Sequence, residues 1–271
     1  MNIFFFEMTL VIYLVGTGFS LAYLIFLKKG VSRLAVGTLA MGFGVHSLAL
    51  LIRYFEAGYT PVTNWHESLS FFSWSIVGLF LLLYGKYRVA VFAAFVAPIA
   101  ALLIILASLF PKEILPLPPV LESFWLPIHV SLAFLGNALF TLGFAAGVMY
   151  LIQEWQIKSK KIGAFYRRLP TLKVLDDLNY RCLTVGFPLL TLGIISGSVW
   201  AESAWGSYWS WDPKETWSLI TWFLYAALLH ARLSAGWRGR KAALLAIAGF
   251  GALLFTFFGV SFFLPGFHSY L

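Results

Sequence analysis

Charge is scarce in this sequence. Only 11% of its 271 residues are charged, while 61% are hydrophobic, and soluble domains carry roughly a quarter charged residues. That balance excludes a globular domain surrounded by water. Cysteine is almost missing as well, with Cys182 the single example. One thiol cannot close a disulfide within the chain. There is no CxxC pair for thiol redox work and no CxxCH motif for covalent haem attachment. A c-type cytochrome and a thiol oxidoreductase are therefore both excluded, and Cys182 reads as a small packed residue.

Apolar sequence is what the chain has in quantity. Eight stretches are each long enough to cross a bilayer as a helix of about 20 residues. They cover roughly residues 5–27, 34–55, 65–84, 89–110, 129–152, 182–201, 213–231 and 242–263. Lipid offers no partner to a backbone N–H or C=O, so each span must satisfy its own as a helix. The expected fold is an all-α polytopic membrane protein, a bundle of about eight transmembrane helices. It is expected to form one transmembrane domain over residues 1–271, without an internal repeat. The first span should not be a cleavable signal, because Lys28 and Lys29 follow it and no small-residue cleavage site is evident.

The basic residues give the orientation. Lys28, Lys29, Arg33, Lys86 and Arg88 fall on one side of this arrangement. So do Lys158, Lys160, Lys161, Arg167, Arg168, Lys173, Arg181, Arg232, Arg238, Arg240 and Lys241, which makes 16 of the 19 Lys and Arg. Arg53, Lys112 and Lys214 are on the other side. The positive-inside rule makes the rich side cytoplasmic and puts both termini outside. The net charge of +8 is then a signal of topology, and nucleic acid is not an expected partner.

Two links stand out. The outer link PKEILPLPPVLESFWLP, with five prolines, should be a stiff irregular cap. The basic cytoplasmic link, about 153–181, carries Leu172, Leu175 and Leu178 at helical spacing. It fits an interfacial amphipathic helix leading into span six or a solvated loop on anionic lipid. Pro98 and Pro188 lie inside spans four and six and are expected to kink them.

The segment WGSYWSWDPKETW, residues 205–217, lies outside in this topology. Asp212 reads as a helix N-cap, Pro213 as the first helical residue, and Glu215 as the residue completing a capping box. Acid–base chemistry by this pair is the competing possibility. The crowded rings, Trp205, Tyr208, Trp209 and Trp211 beside Gly206, exceed what an aromatic belt needs. Helical spacing from Trp205 through Tyr208 or Trp209 to Asp212 would put several on one face, a shelf for a large planar ligand.

Five histidines complete the picture. His129, at the outer start of span five, and His268, in the outer tail, both reach the layer of this shelf. Two imidazoles with an aromatic shelf make a bis-histidine haem site. His230 falls deep in span seven, about 25 Å from Pro213, where an ionisable residue suggests function or packing near the interface. His46 reads as bundle packing. His66 follows Asn64 and precedes Glu67, which resemble a second capping box; ligation by His66 stays open.

The run from Trp200-Ala201-Glu202 to Trp217 resembles the WWD segment of haem-handling proteins. It most resembles the CcsA/ResC branch, the membrane subunit of the System II cytochrome c synthase. Pro61-Val62-Thr63-Asn64 with Glu67-Ser68, Leu229-His230-Ala231-Arg232, and the flanking His129 and His268 fall where that branch has counterparts. The resemblance implies cytochrome c biogenesis. Haem b would be carried across the membrane and presented outside for thioether attachment to the CxxCH of an apocytochrome c. His129 and His268 match its external axial ligands, His230 its intramembrane histidine, and Trp205 to Glu215 its haem-facing surface. At the position of His66 the branch often has Tyr, so no role is carried over. The resemblance also implies a separate CcsB/ResB-type partner, an indirect thiol-reducing pathway, and a place in a bacterial cytoplasmic membrane or a thylakoid. The chain would then be a subunit of a synthase rather than an enzyme alone. Arg53, Lys112 and Lys214 are the outer cations for haem propionates, and Arg232 is placed to steer one from inside. Two alternatives are a CcmC-like haem exporter, usually with six spans, and a haem-containing electron-transfer subunit, for which His46 and His230 lie at ill-matched depths.

Overall fold

The computed structural model describes residues 1–160, 163, 165–264 and 266. Among them there is helix, turn and loop and no strand. The chain forms two compact units, Met1–Leu117 and Pro118–Leu271.

The first unit contains α1 (Asn2–Phe26), α2 (Lys29–Ala57), α3 (Trp65–Tyr87) and α4 (Ala93–Leu109), the last preceded by a 3-10 turn at Ala90–Phe92. The helices α1 and α2 form a hairpin that turns on Leu27 in the left-handed region, with its N–H on the Tyr23 carbonyl at 3.0 Å. They approach closely because Gly42 has no side chain: a Cβ there would meet the Tyr13 ring at 2.7 Å. Small residues take this role where helices pack within lipid. Polar residues in this core include a partnered histidine. His46 is fully buried, with Tyr13 Oη at 3.3 Å and Ser70 Oγ at 2.8 Å, which is the packing role expected of it.

Asn64 caps α3 as expected, its side chain accepting from the Glu67 N–H at 3.0 Å. The reciprocal half of a capping box is replaced. Glu67 Oε2 accepts from the N–H and hydroxyl of Thr63, each at 2.8 Å, and Oε1 accepts from Arg53 Nε at 2.7 Å. The carboxylate has two oxygens, and it divides them between the buried guanidinium and the residue before the cap. Arg53 reaches onward to the carbonyls of Lys112 and Glu113. The end of α2, the start of α3 and the chain beyond α4 are thus tied by one ion pair.

The second unit contains α5 (Trp125–Lys158), α6 (Leu172–Trp205), α7 (Pro213–Ser234) and α8 (Arg240–Leu254). The last continues through a π turn at Phe255–Gly259 into α9 (Val260–Phe263). α5 and α6 have 34 residues each, about 51 Å of helix against a hydrocarbon core of about 30 Å. Both therefore run well past the expected spans. The basic link is mostly absorbed into their ends, and the amphipathic stretch is the first part of α6 itself. Thr171 caps it, and Leu175 and Leu178 are buried. Pro98 and Pro188 sit inside α4 and α6, which continue through them. Among the described residues, seven helical segments are long and apolar enough to cross a membrane. The remaining helix, α7, has 22 residues, enough by length for an eighth crossing. The protein is a multi-pass membrane protein.

The pair α5–α6 packs through glycines. Gly136 lies on the backbone of Leu190, where an added Cβ would come to 3.0 Å, and Gly193 lies on that of Ala133, at 3.2 Å. At the other end Asp176 gathers three donors: Arg232 Nη1 at 2.9 Å, Nη2 at 2.6 Å and the Gly239 N–H at 2.8 Å. This fork clamps α6, α7 and the start of α8 together, with the guanidinium 4.4 Å over the Tyr180 ring.

Candidate functional site

The tryptophan-rich segment is a loop between two capped helix ends. α6 stops at Trp205 because Gly206 turns left-handed, φ 71°, and returns its N–H to the Glu202 carbonyl at 2.8 Å. Residues 207–212 are irregular, so the helical spacing read from Trp205 to Asp212 is not realised. Trp211 itself holds φ 60°, a conformation that costs a non-glycine residue about 1–3 kcal/mol. The rings accordingly divide. Trp205 meets the buried Trp200 edge-on at 5.0 Å, while Tyr208 and Trp211 are 61% and 68% exposed, with Trp209 edge-on to Trp211 at 5.9 Å.

Asp212 and Glu215 form the expected capping box. Asp212 Oδ1 accepts from the Lys214 N–H at 2.8 Å. Glu215 Oε2 accepts from the N–H groups of Asp212 and Ser210, at 3.2 and 2.8 Å. These carboxylates hold the loop in shape. Lys214 Nζ donates to Ser261 Oγ at 3.2 Å, which ties α9 to the start of α7. Gly266 lies against the same cap, since a Cβ on it would overlap the Asp212 carboxylate. His268 lies outside the described residues.

His129 stands in the second turn of α5 and faces α6. Its Nδ1 is 2.7 Å from the Gly193 carbonyl. A carbonyl only accepts, so Nδ1 carries a proton, and in the neutral ring the lone pair is then on Nε2. The ring lies nearly parallel to Trp200, 16° between planes and 6.1 Å between centroids. Trp200 in turn donates from Nε1 to the Val120 carbonyl at 3.3 Å. A neutral imidazole with its tautomer fixed by a backbone carbonyl is the state in which histidine ligates iron. The elements that hold it, Gly193 and Gly197, were not singled out from the sequence. Their signal is the small-xxx-small pattern Gly193-Ile-Ile-Ser-Gly197, which marks close helix contact.

The other candidate residues are placed as follows. His230 is exposed on α7, and its backbone carbonyl accepts from Ser234 Oγ at 2.6 Å. Arg232 does not share that exposure. It is 8% exposed and forked onto Asp176, so the expectation that it steers a propionate is corrected: a second charge would have to displace a bidentate carboxylate. The outer cations are likewise engaged, Arg53 by Glu67 and Lys112 by Glu7 at 3.2 Å. In the first unit His66 is buried, with Nδ1 donating to the Ala107 carbonyl at 2.9 Å and the Phe6 ring 4.5 Å away.

Fold and site define a class, a helical multi-pass membrane protein that holds an imidazole beside an indole-rich segment at one end of a helix pair. The family model for cytochrome c assembly proteins matches residues 62–268. Among curated relatives, the cytochrome c biogenesis protein CcsA of Pyropia yezoensis is 38% identical over 89% of this chain and 88% of its own length. That of Guillardia theta is 38% identical over 91% and 89%. That of Synechococcus elongatus is 36% identical over 87% of each. A solved structure of the cytochrome c heme lyase CcmF superposes with a TM-score of 0.67 at 19% identity, over 95% of this chain and 46% of that one. The chain spans about half of that structure, and the likeness is one of fold. The chain belongs to the cytochrome c assembly protein family and is of the CcsA type. Its field of action is cytochrome c biogenesis, and haem handling is what the family implies.

Proposed function

We propose that the protein carries haem b across the membrane and presents it on the outer side. There the haem vinyl groups form thioethers with the CxxCH cysteines of an apocytochrome c. Haem is the cargo here, and the whole chain, residues 1–271, serves this one task. The observation that carries the proposal is His129. Its tautomer is set by Gly193 and its ring is parallel to Trp200, within the unit that also holds the tryptophan-rich loop. His129 supplies one axial nitrogen and His268 the other. The exposed rings of Tyr208 and Trp211 offer the porphyrin an apolar face, with Trp205, Gly206 and Trp209 shaping the loop and Asp212 and Glu215 fixing it.

His230 acts earlier in the same passage. It lies about 25 Å along α7 from Pro213, too far to share an iron with His129 in one pose. Its exposure leaves its second axial ligand to a CcsB/ResB-type partner chain. Cys182 is the chain's one thiol and is buried, so the reductant for the apocytochrome comes from elsewhere. Both termini lie outside, a reading that the basic asymmetry of the sequence supports, and the membrane is a bacterial cytoplasmic or a thylakoid one.

The test is the reduced absorption spectrum of the protein purified with its partner, followed by covalent haem on a co-expressed CxxCH protein. His129→Ala should lower bound haem or leave it readily oxidised, with partial restoration by added imidazole. His66→Ala should be milder. A normal spectrum and normal attachment in His129→Ala would remove the proposal's foundation.

A further inference from the structure

The ring of His129 meets α6 at two glycines, Gly193 and Gly197, with Trp200 of the same helix parallel to it and the Ser196 hydroxyl also on the Gly193 carbonyl at 3.1 Å. In an α-helix each Cα–Cβ bond tilts toward the N-terminus, so the side chain four residues on lies over a given carbonyl. Residue 197 is the one that covers the carbonyl of residue 193, and it is glycine. Gly197 has an ordinary helical conformation and needs no left-handed freedom. What its missing side chain supplies is space. A Cβ added there would stand 2.6 Å from both Nδ1 and Cε1 of His129. Carbon contacts settle near 3.5 Å, so the ring would have to retreat by roughly 1 Å. The bond from Nδ1 to the Gly193 carbonyl, 2.7 Å long, would then leave hydrogen-bonding range.

We infer that Gly197 is a positioning residue for the haem-ligating nitrogen of His129, acting by leaving the Gly193 carbonyl open to the imidazole. The inference rests on the proposed role of His129 as a haem ligand. Two consequences follow from the bond that Gly197 permits. It fixes the proton on Nδ1, so Nε2 is the nitrogen presented to iron. It also makes Nε2 a more basic ligand, because a donated N–H pushes electron density into the ring. Such second-shell hydrogen bonding is one of the protein's levers on haem iron, and a more basic ligand favours the ferric state. Trp200, three residues beyond Gly197 and parallel to the ring, narrows the poses left to an imidazole that has lost its carbonyl.

The test compares Gly197→Ala, His129→Ala and the double variant, each purified with the partner chain and its native haem. The readouts are the reduced low-spin α-band, the midpoint potential and thermal stability. In Gly197→Ala the α-band should shift or weaken and the potential should rise. Adding the alanine at 197 to His129→Ala should change neither spectrum nor potential, because the residue acts through the ring. If Gly197→Ala matches wild type in spectrum and potential while His129→Ala does not, the positioning role is wrong and the ligand proposal stands. If His129→Ala itself keeps the wild-type spectrum, the ligand proposal has failed. If Gly197→Ala does not accumulate, the double variant decides. Accumulation to the level of His129→Ala assigns the defect to the clash with the ring, and failure of the double variant as well makes Gly197 a packing residue only.

Discussion

Replacing Glu67 by Gln isolates the ion pair that ties the end of α2 to the start of α3. The change preserves shape and removes one charge. Glu67 Oε1 accepts from Arg53 Nε at 2.7 Å, and Oε2 accepts two donors from Thr63 at 2.8 Å. Gln has a single side-chain oxygen. Whichever way its amide is turned, its NH2 faces a donor, either Arg53 or Thr63, at a distance that suits only an acceptor. The Arg53 side chain is 4% exposed and that of Glu67 0%, so water cannot step in. Breaking one side of a buried pair typically costs about 3–5 kcal/mol, since the surviving charge stays buried without its counter-ion. The carbonyls of Lys112 and Glu113 remain on Arg53 and put the expected cost at the lower end, about 3 kcal/mol. For a chain of this size that corresponds to a fall in Tm on the order of 10 °C, read by thermal unfolding in detergent. Glu67→Asp should recover part of the loss by restoring charge at shorter reach. A Gln variant within about 2 °C of wild type would show that the guanidinium finds other partners and that the pair holds little.

Three further outcomes are expected. Asp176→Asn should lower stability by about 1–3 kcal/mol, since its side chain, 14% exposed, serves Arg232 and the Gly239 N–H together; Arg232→Ala should match it and leave the haem spectrum alone. A changed spectrum at unchanged stability would return Arg232 to propionate binding. Reporters after Leu271 and near Pro116 should register outside the membrane and one near Lys160 in the cytoplasm, and a cytoplasmic signal at Leu271 would refute the topology. His230→Ala should reduce the haem reaching the protein while leaving the external spectrum of the remaining fraction unchanged, with loading restored by imidazole; full haem content and normal attachment would make His230 a surface residue only.

Much of this was legible in the sequence because local rules decide it. Lipid permits few backbone solutions, so apolar length alone gave helices, and Asp212-Pro213-Lys214-Glu215 specifies a capping box wherever it occurs. The errors have a common cause. Helical spacing through WGSYWSWD assumed a continuing helix, but Gly206 ends it. Arg232 looked available because Asp176, its partner, lies 56 residues away and becomes a neighbour only when α6 and α7 pack. Arg53 and Glu67, 14 residues apart, were hidden in the same way, one in a span and the other in a cap. His129 was visible as a candidate from its residue type and depth, yet its tautomer depends on a carbonyl 64 residues away. That carbonyl is reachable only because residue 197 lacks a Cβ. A glycine in a span says that something approaches closely, and only the packed partner says what. Cations showed the same asymmetry. Sequence counts charges by side of the membrane, but each of the candidates Arg53, Lys112 and Arg232 already faces a carboxylate. Lys214, at the start of α7, instead donates to the Ser261 hydroxyl at 3.2 Å, so under the proposed function a haem propionate would have to displace a neutral partner there and a carboxylate at the others.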